Sequence, residues 1–377
     1  MAFRWLACVV GGLLLQGQGV AASEPPLRPV MQRVYEAIAI LLPASLEEHA
    51  LEDPLRREEL MRQVEALVAA SAEVEGHGAQ RDLSFRHLGA SLATDVRLAA
   101  DLFAQGYYDE AGSQLGGLLQ SCIVCHEKLP SDRENPLASQ LLARPEISGL
   151  PAVERARIHV AVRRFDGALE HWERAFADPS IPAWHFEFDD SLSEYLAVAI
   201  RVRGAFERAR VSMDGLAARS DTPEYLALRL RDWSASLAEL GPIAEAEPSL
   251  AVARQLIQSA NDRSLFPETR ARLVHDLIAS RHLNRLIASL DAKDPRLSEA
   301  YYLLGVVEAR SIDSFWIPQA ELHLTAAIES DPGGPFARIA YLALEEYLIV
   351  GEGGVASAQA EEALARLRRL RNRVPEE

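Results

Sequence analysis

The pentapeptide Cys122-Ile123-Val124-Cys125-His126 constrains this chain of 377 residues more than any other stretch. Two cysteines separated by two residues and followed directly by histidine form the attachment sequence of a c-type haem. The thiols can add across the haem vinyl groups, and the adjacent imidazole can ligate the iron. The sequence offers no second cysteine pair for a zinc site and no βαβ pattern for a thioredoxin-type dithiol. The motif therefore predicts one covalent haem c on Cys122 and Cys125, with His126 as the proximal iron ligand.

Residues 1–22 have the pattern of a secretory signal peptide. Arg4 precedes an apolar run from Trp5 to Leu15, and Val20-Ala21-Ala22 supplies the small residues of a cleavage site. The apolar run is too short for a permanent membrane anchor. Cys8 lies in this leader, so only the motif cysteines remain in the mature chain. We expect cleavage near Ala22 and a location in the bacterial periplasm, because c-type haem is attached outside the cytoplasm.

The composition favours an acidic, all-α protein. The formal net charge is −16 at pH 7, which disfavours nucleic-acid binding through phosphate contacts and suits a basic protein partner. Alanine, leucine, arginine and glutamate are abundant, and all four are good helix formers. The alternating β-branched runs that are typical of strands are absent from the sequence.

Residues 23–130 are predicted to form four helices of similar length. Apolar residues recur at helical spacing in each segment, while proline and glycine mark the ends. The predicted spans are 26 or 29 to 43, 54 to 76, 82 or 84 to 106, and 109 to 130. Short connections between matched helices predict an up-down-up-down four-helix bundle. His126 falls on the buried face of the fourth helix.

A haem attached near the end of the fourth helix of such a bundle resembles the cytochrome c-prime family and its low-spin relatives. The resemblance covers residues 23–130 and implies that His126 is the proximal ligand. Low-spin members carry a methionine near the start of the first helix as the second axial ligand, and Met31 matches that position. Members with an aliphatic residue nearby leave the iron five-coordinate. The resemblance also implies a homodimer formed through the first two helices.

Helix geometry independently brings Met31 towards the haem. Antiparallel packing places the start of the first helix beside the end of the fourth, and Met31 and His126 each lie roughly 5 Å from that end at about 1.5 Å per residue. Met31 is therefore the predicted distal ligand, with a core-filling role as the alternative. His87, at the start of the third helix, and His77, expected in the loop after Gly76, are the other candidates. For each of these two histidines, a solvated or hydrogen-bonded surface role is favoured over ligation.

Prolines and a glycine in residues 131–150 predict a linker, and residues 151–377 continue as helices. Residues 297–332 resemble a tetratricopeptide repeat, with Gly305, Ala320 and Ala327 as the small residues where two helices cross. Glu308 occupies a position where that repeat usually has an aromatic residue. Residues 153–179 form a fainter unit. We therefore expect an α-solenoid of degenerate tetratricopeptide-like repeats, which either binds a protein or peptide segment or only packs on the bundle.

These observations predict a periplasmic mono-haem electron carrier with a repeat domain that docks a redox partner protein. The first alternative is a haem-based module with an open iron site that senses a gas or a redox state. The second is a peroxidase-like enzyme, which needs a distal acid-base group such as His77 or His87. An electron carrier is favoured over an enzyme because no positioned acid-base pair is evident.

Overall fold

The computed structural model describes residues 27–46, 49–79, 83–127, 136–263, 272–310, 319–351 and 358–374. Within these ranges all regular secondary structure is helical and no strand occurs, which confirms the predicted all-α class. The predicted leader and its cleavage site at Ala22 lie outside the described residues. No helix in the described part of the chain has both the length and the hydrophobicity of a membrane span.

The first four long helices close into a ring. Each packs against the next, and the fourth packs against the first. Arg33 near the start of the first helix pairs with Glu73 near the end of the second at 2.5 Å, while Ser45 lies against Gly112 where the fourth helix begins. Neighbouring helices are therefore antiparallel. The helices are α1 (Leu27–Leu46), α2 (Arg57–Ala79), α3 (Leu83–Gln105) and α4 (Tyr108–Glu127).

Two helix boundaries that the sequence predicted at prolines lie elsewhere in the structure. The prediction that α1 ends at Pro43 is wrong, because the helix continues to Leu46 with this proline inside it. Proline removes one backbone hydrogen bond from a helix. Near the helix end this loss is tolerated, because few residues follow whose helical bonds it could disturb. The predicted start of α2 at Asp53-Pro54 is also early. Asp53 instead organises a turn before the helix, where its Oδ1 accepts a hydrogen bond from the Leu55 amide at 2.9 Å.

The prediction that α2 ends at Gly76 is wrong, because the helix continues to Ala79. A Cβ atom at Gly76 would meet nothing within 4 Å. A Cβ atom at Gly78 would lie 2.7 Å from the carbonyl oxygen of Phe85, so this second glycine permits close approach of the next helix. His77, which was expected in a loop, lies in the last turn of α2.

The segment expected to be a linker contains two short helices, α5 (Pro136–Leu142) and α6 (Pro145–Ser148). Ala138, Leu141 and Ile147 are buried in the core of the four-helix bundle. The described part of this segment is therefore packed onto the bundle rather than extended away from it.

Eight of the helices after residue 150 pack as antiparallel pairs. Four successive pairs pack as hairpins: α7 with α8, α11 with α12, α13 with α14, and α15 with α16. The bounds are α7 (Ala152–Ala161), α8 (Phe165–Ala177), α9 (His185–Phe188), α10 (Ser191–Ala197), a π-helix (Val198–Arg203), α11 (Phe206–Ala217), α12 (Glu224–Ala244), α13 (Leu250–Arg263), α14 (Leu273–Ser289), α15 (Arg296–Arg310), α16 (Ala320–Ser330), α17 (Pro335–Gly351) and α18 (Ala358–Arg371).

The bundle and the later helices share their hydrophobic cores. Ile123 and Val124 of α4 are buried in the core formed mainly by residues after 150, whereas Ile158 and Ala161 of α7 are buried in the bundle core. In addition, α3 packs against α16. The second half of α4 therefore lies between two apolar cores.

We expect Gly305→Ala to destabilise the protein, because a Cβ atom there would lie 2.6 Å from Leu324 Cγ and 3.1 Å from the Leu324 backbone nitrogen. Overpacking of this kind costs about 1–3 kcal/mol. Gly215 in α11 is the matched control, since a Cβ atom there meets nothing within 4 Å and alanine should stabilise the helix by about 0.5–1 kcal/mol. Urea unfolding measures both, and equal effects would refute the close crossing of α15 and α16.

Candidate haem site

The motif residues occupy the last turns of α4 and face one way. At about 100° per residue, the side chains of Cys122, Cys125 and His126 fall within an arc of about 100° around the helix. Ile123 and Val124 project outside that arc. Each is 1% exposed and is buried in the core formed mainly by residues after 150. Cys122 belongs to the bundle core, whereas Cys125 packs, partly buried, against the core that holds Ile123 and Val124. Burial of the two spacer residues fixes the rotation of α4.

The two thiols of the motif are withdrawn from solvent to different extents. Cys122 is 8% exposed, Cys125 is partly buried, and neither forms a disulfide. Burial raises the pKa of Cys122 to about 12, and the charge of Cys125 adds to this increase. A dithiol oxidoreductase needs an accessible thiolate with a depressed pKa. The environment of Cys122 therefore does not suit dithiol exchange.

His126 is held by the end of α7. Its Nδ1 atom lies 2.5 Å from the carbonyl oxygen of Ala161, to which the Nδ1–H donates a hydrogen bond. This bond leaves the lone pair on Nε2, as in histidines that bind metals. Burial lowers the pKa of His126 to about 4, the bond to Ala161 opposes this change, and the charge of Arg163 adds to it. The imidazole is therefore neutral at pH 7, the form that ligates a metal.

The way in which α7 ends leaves the carbonyl of Ala161 available to accept a hydrogen bond. Arg163 adopts a left-handed conformation with φ of 63°, its amide bonds to the Val160 carbonyl, and the Arg164 amide bonds to the His159 carbonyl. This is the Schellman pattern of helix termination. It satisfies the carbonyls of His159 and Val160, whereas the carbonyl of Ala161 accepts the bond from His126 instead.

The donor set fits a haem c. Two cysteines and one neutral histidine lie on the same side of a helix, and the second nitrogen of the histidine is already oriented by a backbone carbonyl. Among the described residues, no three histidine, cysteine or acidic side chains form a site for a bare metal ion. A metal bound to His126 would therefore need most of its ligands from a cofactor.

Tyr35 on α1 is the ring that contacts His126. The two ring centroids are 6.4 Å apart and the planes meet at 64°. Burial raises the pKa of Tyr35, the charge of Cys122 raises it further and that of Arg163 lowers it, so the phenol is neutral. Sequence analysis did not identify Tyr35, because its only signal is its position one helical turn after Met31.

Met31 lies at the same height in the bundle as His126. Ser45 of α1 is level with Gly112 of α4, and equal steps back along α1 and forward along α4 bring Met31 level with His126. The methionine is partly buried and packs against the bundle core. This height is compatible with the predicted role of Met31, although the α1 side chain found against the imidazole is Tyr35.

The two alternative ligands are on other helices. His77 is half-buried at the end of α2. Desolvation lowers the pKa of His87, and the charges of Arg86, Glu329 and Arg366 also act on it. His87 therefore lies near α16 and α18. Its electrostatic neighbours do not include His126.

Without haem, we expect His126 to titrate far below its ordinary range. In a Cys122→Ala/Cys125→Ala variant, its NMR titration should give a pKa of about 4. Between pH 6.5 and 4 the unfolded chain binds a proton that the folded chain does not, so the free energy of unfolding should fall by up to about 3 kcal/mol as the pH decreases. Adding His126→Gln should reduce this dependence by the share of one histidine and leave the share of His159 and His171, whose pKa values burial also lowers to about 4. A pKa of His126 near 6.5 in the folded chain would contradict the buried arrangement.

Comparison with known proteins gives no relative from which a function could be transferred. No protein-family model, curated protein or solved structure matches this chain.

Proposed function

We propose that this chain is a mono-haem c-type cytochrome that carries electrons in the periplasm. The haem c is attached to Cys122 and Cys125, and His126 is the proximal iron ligand. The observation that carries the proposal is the hydrogen bond from His126 Nδ1–H to Ala161, made by a buried neutral imidazole beside two thiols on the same helix face. Bound haem supplies one-electron redox chemistry at the iron.

The residues around His126 suit an electron carrier. The Ala161 carbonyl holds the imidazole in one tautomer and increases its basicity, which are the usual effects of such a partner on a ligating histidine. Burial excludes water from this ring. A fixed ligand and the exclusion of water limit how far the protein and solvent must rearrange when the charge of the iron changes. The protein thus contributes orientation and electrostatics.

The proposed architecture is a c-prime-like bundle followed by a tetratricopeptide-like solenoid that docks a redox partner protein. The four antiparallel hairpins after residue 150 support the second part, as does the close crossing of α15 and α16 at Gly305. Partner docking fits because stacked helix pairs provide extended protein-binding surfaces. Export by residues 1–22 and a homodimer through α1 and α2 complete this proposal.

Haem attachment has to precede closure of the bundle. Cys122 is 8% exposed and its pKa is raised to about 12, so its thiol is inaccessible and protonated in the folded chain. The haem must therefore reach both thiols while α4 is still uncovered, which requires attachment during export and folding.

Expression in a host that matures c-type cytochromes tests this function directly. We expect a denatured pyridine haemochrome spectrum to show one covalent haem per chain, because only one motif is present. The Cys122→Ala/Cys125→Ala variant should retain no haem after denaturation. Isolation of the exported protein without pigment and with two titratable thiols would overturn the proposal.

Replacement of Met31 tests the distal ligand. We expect Met31→Ala to convert low-spin iron to high-spin iron and to remove the weak sulfur-to-iron absorption band, because the thioether is lost. Met61→Ala is the matched control, since Met61 on α2 also packs, partly buried, against the bundle core. It should leave the spectrum unchanged. An unaltered spectrum in Met31→Ala would exclude this residue as the ligand.

A gas-binding or redox-sensing module with an open iron site is the second candidate. The observation that favours it is that the Tyr35 ring of α1 lies against the His126 ring, in the part of the bundle where Met31 is the predicted ligand. A high-spin spectrum of the native protein that changes on addition of CO would support this candidate. The peroxidase-like alternative is weaker, because the charged residues near His87 belong to α3, α16 and α18.

A further inference from the structure

The hairpin of α7 and α8 carries a second cluster of titratable side chains, separate from the motif. Arg155 and His159 lie one turn apart on α7, and His171 and Arg174 lie one turn apart on α8. The two imidazole centroids are 4.6 Å apart, and Arg174 Nη2 lies 3.0 Å from His171 Nδ1. We call these four residues the His159 cluster.

Two members of the His159 cluster have buried nitrogen atoms without partners. The Nε atom of Arg155 and the Nδ1 atom of His159 are both buried and make no hydrogen bond. Among the described residues no carboxylate pairs with Arg155 or Arg174. Other arginines of the same region do form such pairs, as in Arg157–Glu194, Arg203–Asp166 and Arg208–Glu173.

The electrostatics of the His159 cluster are uniformly positive. Burial lowers the pKa values of both histidines to about 4, and every neighbouring charge that acts on them lowers these values further. Those charges come from arginines and, for His159, also from His171; no carboxylate is among them. In a protein with a formal net charge of −16, this is a local concentration of uncompensated positive charge.

The local backbone allows the two helices to bring these side chains together. A Cβ atom at Gly167 would lie 2.5 Å from His159 Nδ1, so only glycine permits the imidazole to rest against α8 at this point. Arg174 donates to His171 Nδ1, which leaves the proton on Nε2 as a donor. The cluster therefore presents N–H groups from two guanidinium side chains and from His171, with the His159 imidazole packed beside them.

We propose that the His159 cluster is a binding site for a phosphate group. Guanidinium groups match the oxygens of phosphate with paired hydrogen bonds, and charge-assisted bonds of this type are among the strongest in proteins. A metal cation does not fit, because the arginines repel it. The site is distinct from the cysteines and from His126, so it does not depend on the proposed haem function.

Calorimetric titration of the full-length, haem-loaded protein with inorganic phosphate tests this site. At constant ionic strength and pH 6.5 we expect saturable binding of one phosphate per chain. Arg155→Gln should weaken binding at least about 10-fold, the effect of losing a charged hydrogen-bond donor. Arg210→Gln on α11 is the matched control, since Arg210 already pairs with Glu207 and Asp214. It should leave the affinity unchanged.

A second variant shows whether Arg155→Gln acts on phosphate binding or only on the fold. Gly167→Ala keeps every charge but displaces the His159 ring, so it should also weaken phosphate binding while the helical circular dichroism spectrum is retained.

Phosphate should raise the melting temperature of the native protein and of Arg210→Gln, because a ligand that binds only the folded state stabilises it. Absence of binding at about 10 mM phosphate, unchanged affinity in Arg155→Gln, or equally tight binding of acetate would overturn the proposal.

Discussion

The bond between His126 and the Ala161 carbonyl is the interaction on which the arrangement at the end of α4 depends. A buried imidazole is costly unless its N–H finds an acceptor. That acceptor is a carbonyl that the termination of α7 leaves available. The bond therefore joins the motif helix to an element that begins more than twenty residues later, and it gives the imidazole one orientation before any cofactor is considered.

The motif and the helical spans could be predicted because they are local properties of the chain. Cys122, Cys125 and His126 lie within five consecutive residues, and the apolar spacing of α3 and α4 indicates which face is buried. The contacts made by Ala161, Arg163 and Tyr35 could not be predicted, since each is defined by another element that packs against it. Arg163 is a clear case, because the left-handed position at a helix end is usually occupied by glycine.

Errors at the helix ends have a related cause. The predicted stop at Gly76 lies inside α2, and Gly78 makes a contact between helices that is visible only when Phe85 is in place. Glu308 is a similar case. It departs from the expected aromatic residue of a repeat, and the structure pairs it with Arg201 of the π-helix, both almost fully buried. Because a buried charge requires a partner, this pair favours one alignment of the π-helix and α15.

The sharing of apolar cores by α4 and α7 has a consequence for how the chain can be divided. A fragment cut after residue 130 would uncover Ile123 and Val124 and would deprive the His126 imidazole of its acceptor. A fragment that starts at residue 151 would expose Ile158 and Ala161. Neither half is then a self-sufficient folding unit. The two regions should melt in a single cooperative transition, and evolutionary shuffling of the bundle away from the helices that follow it would be strongly disfavoured.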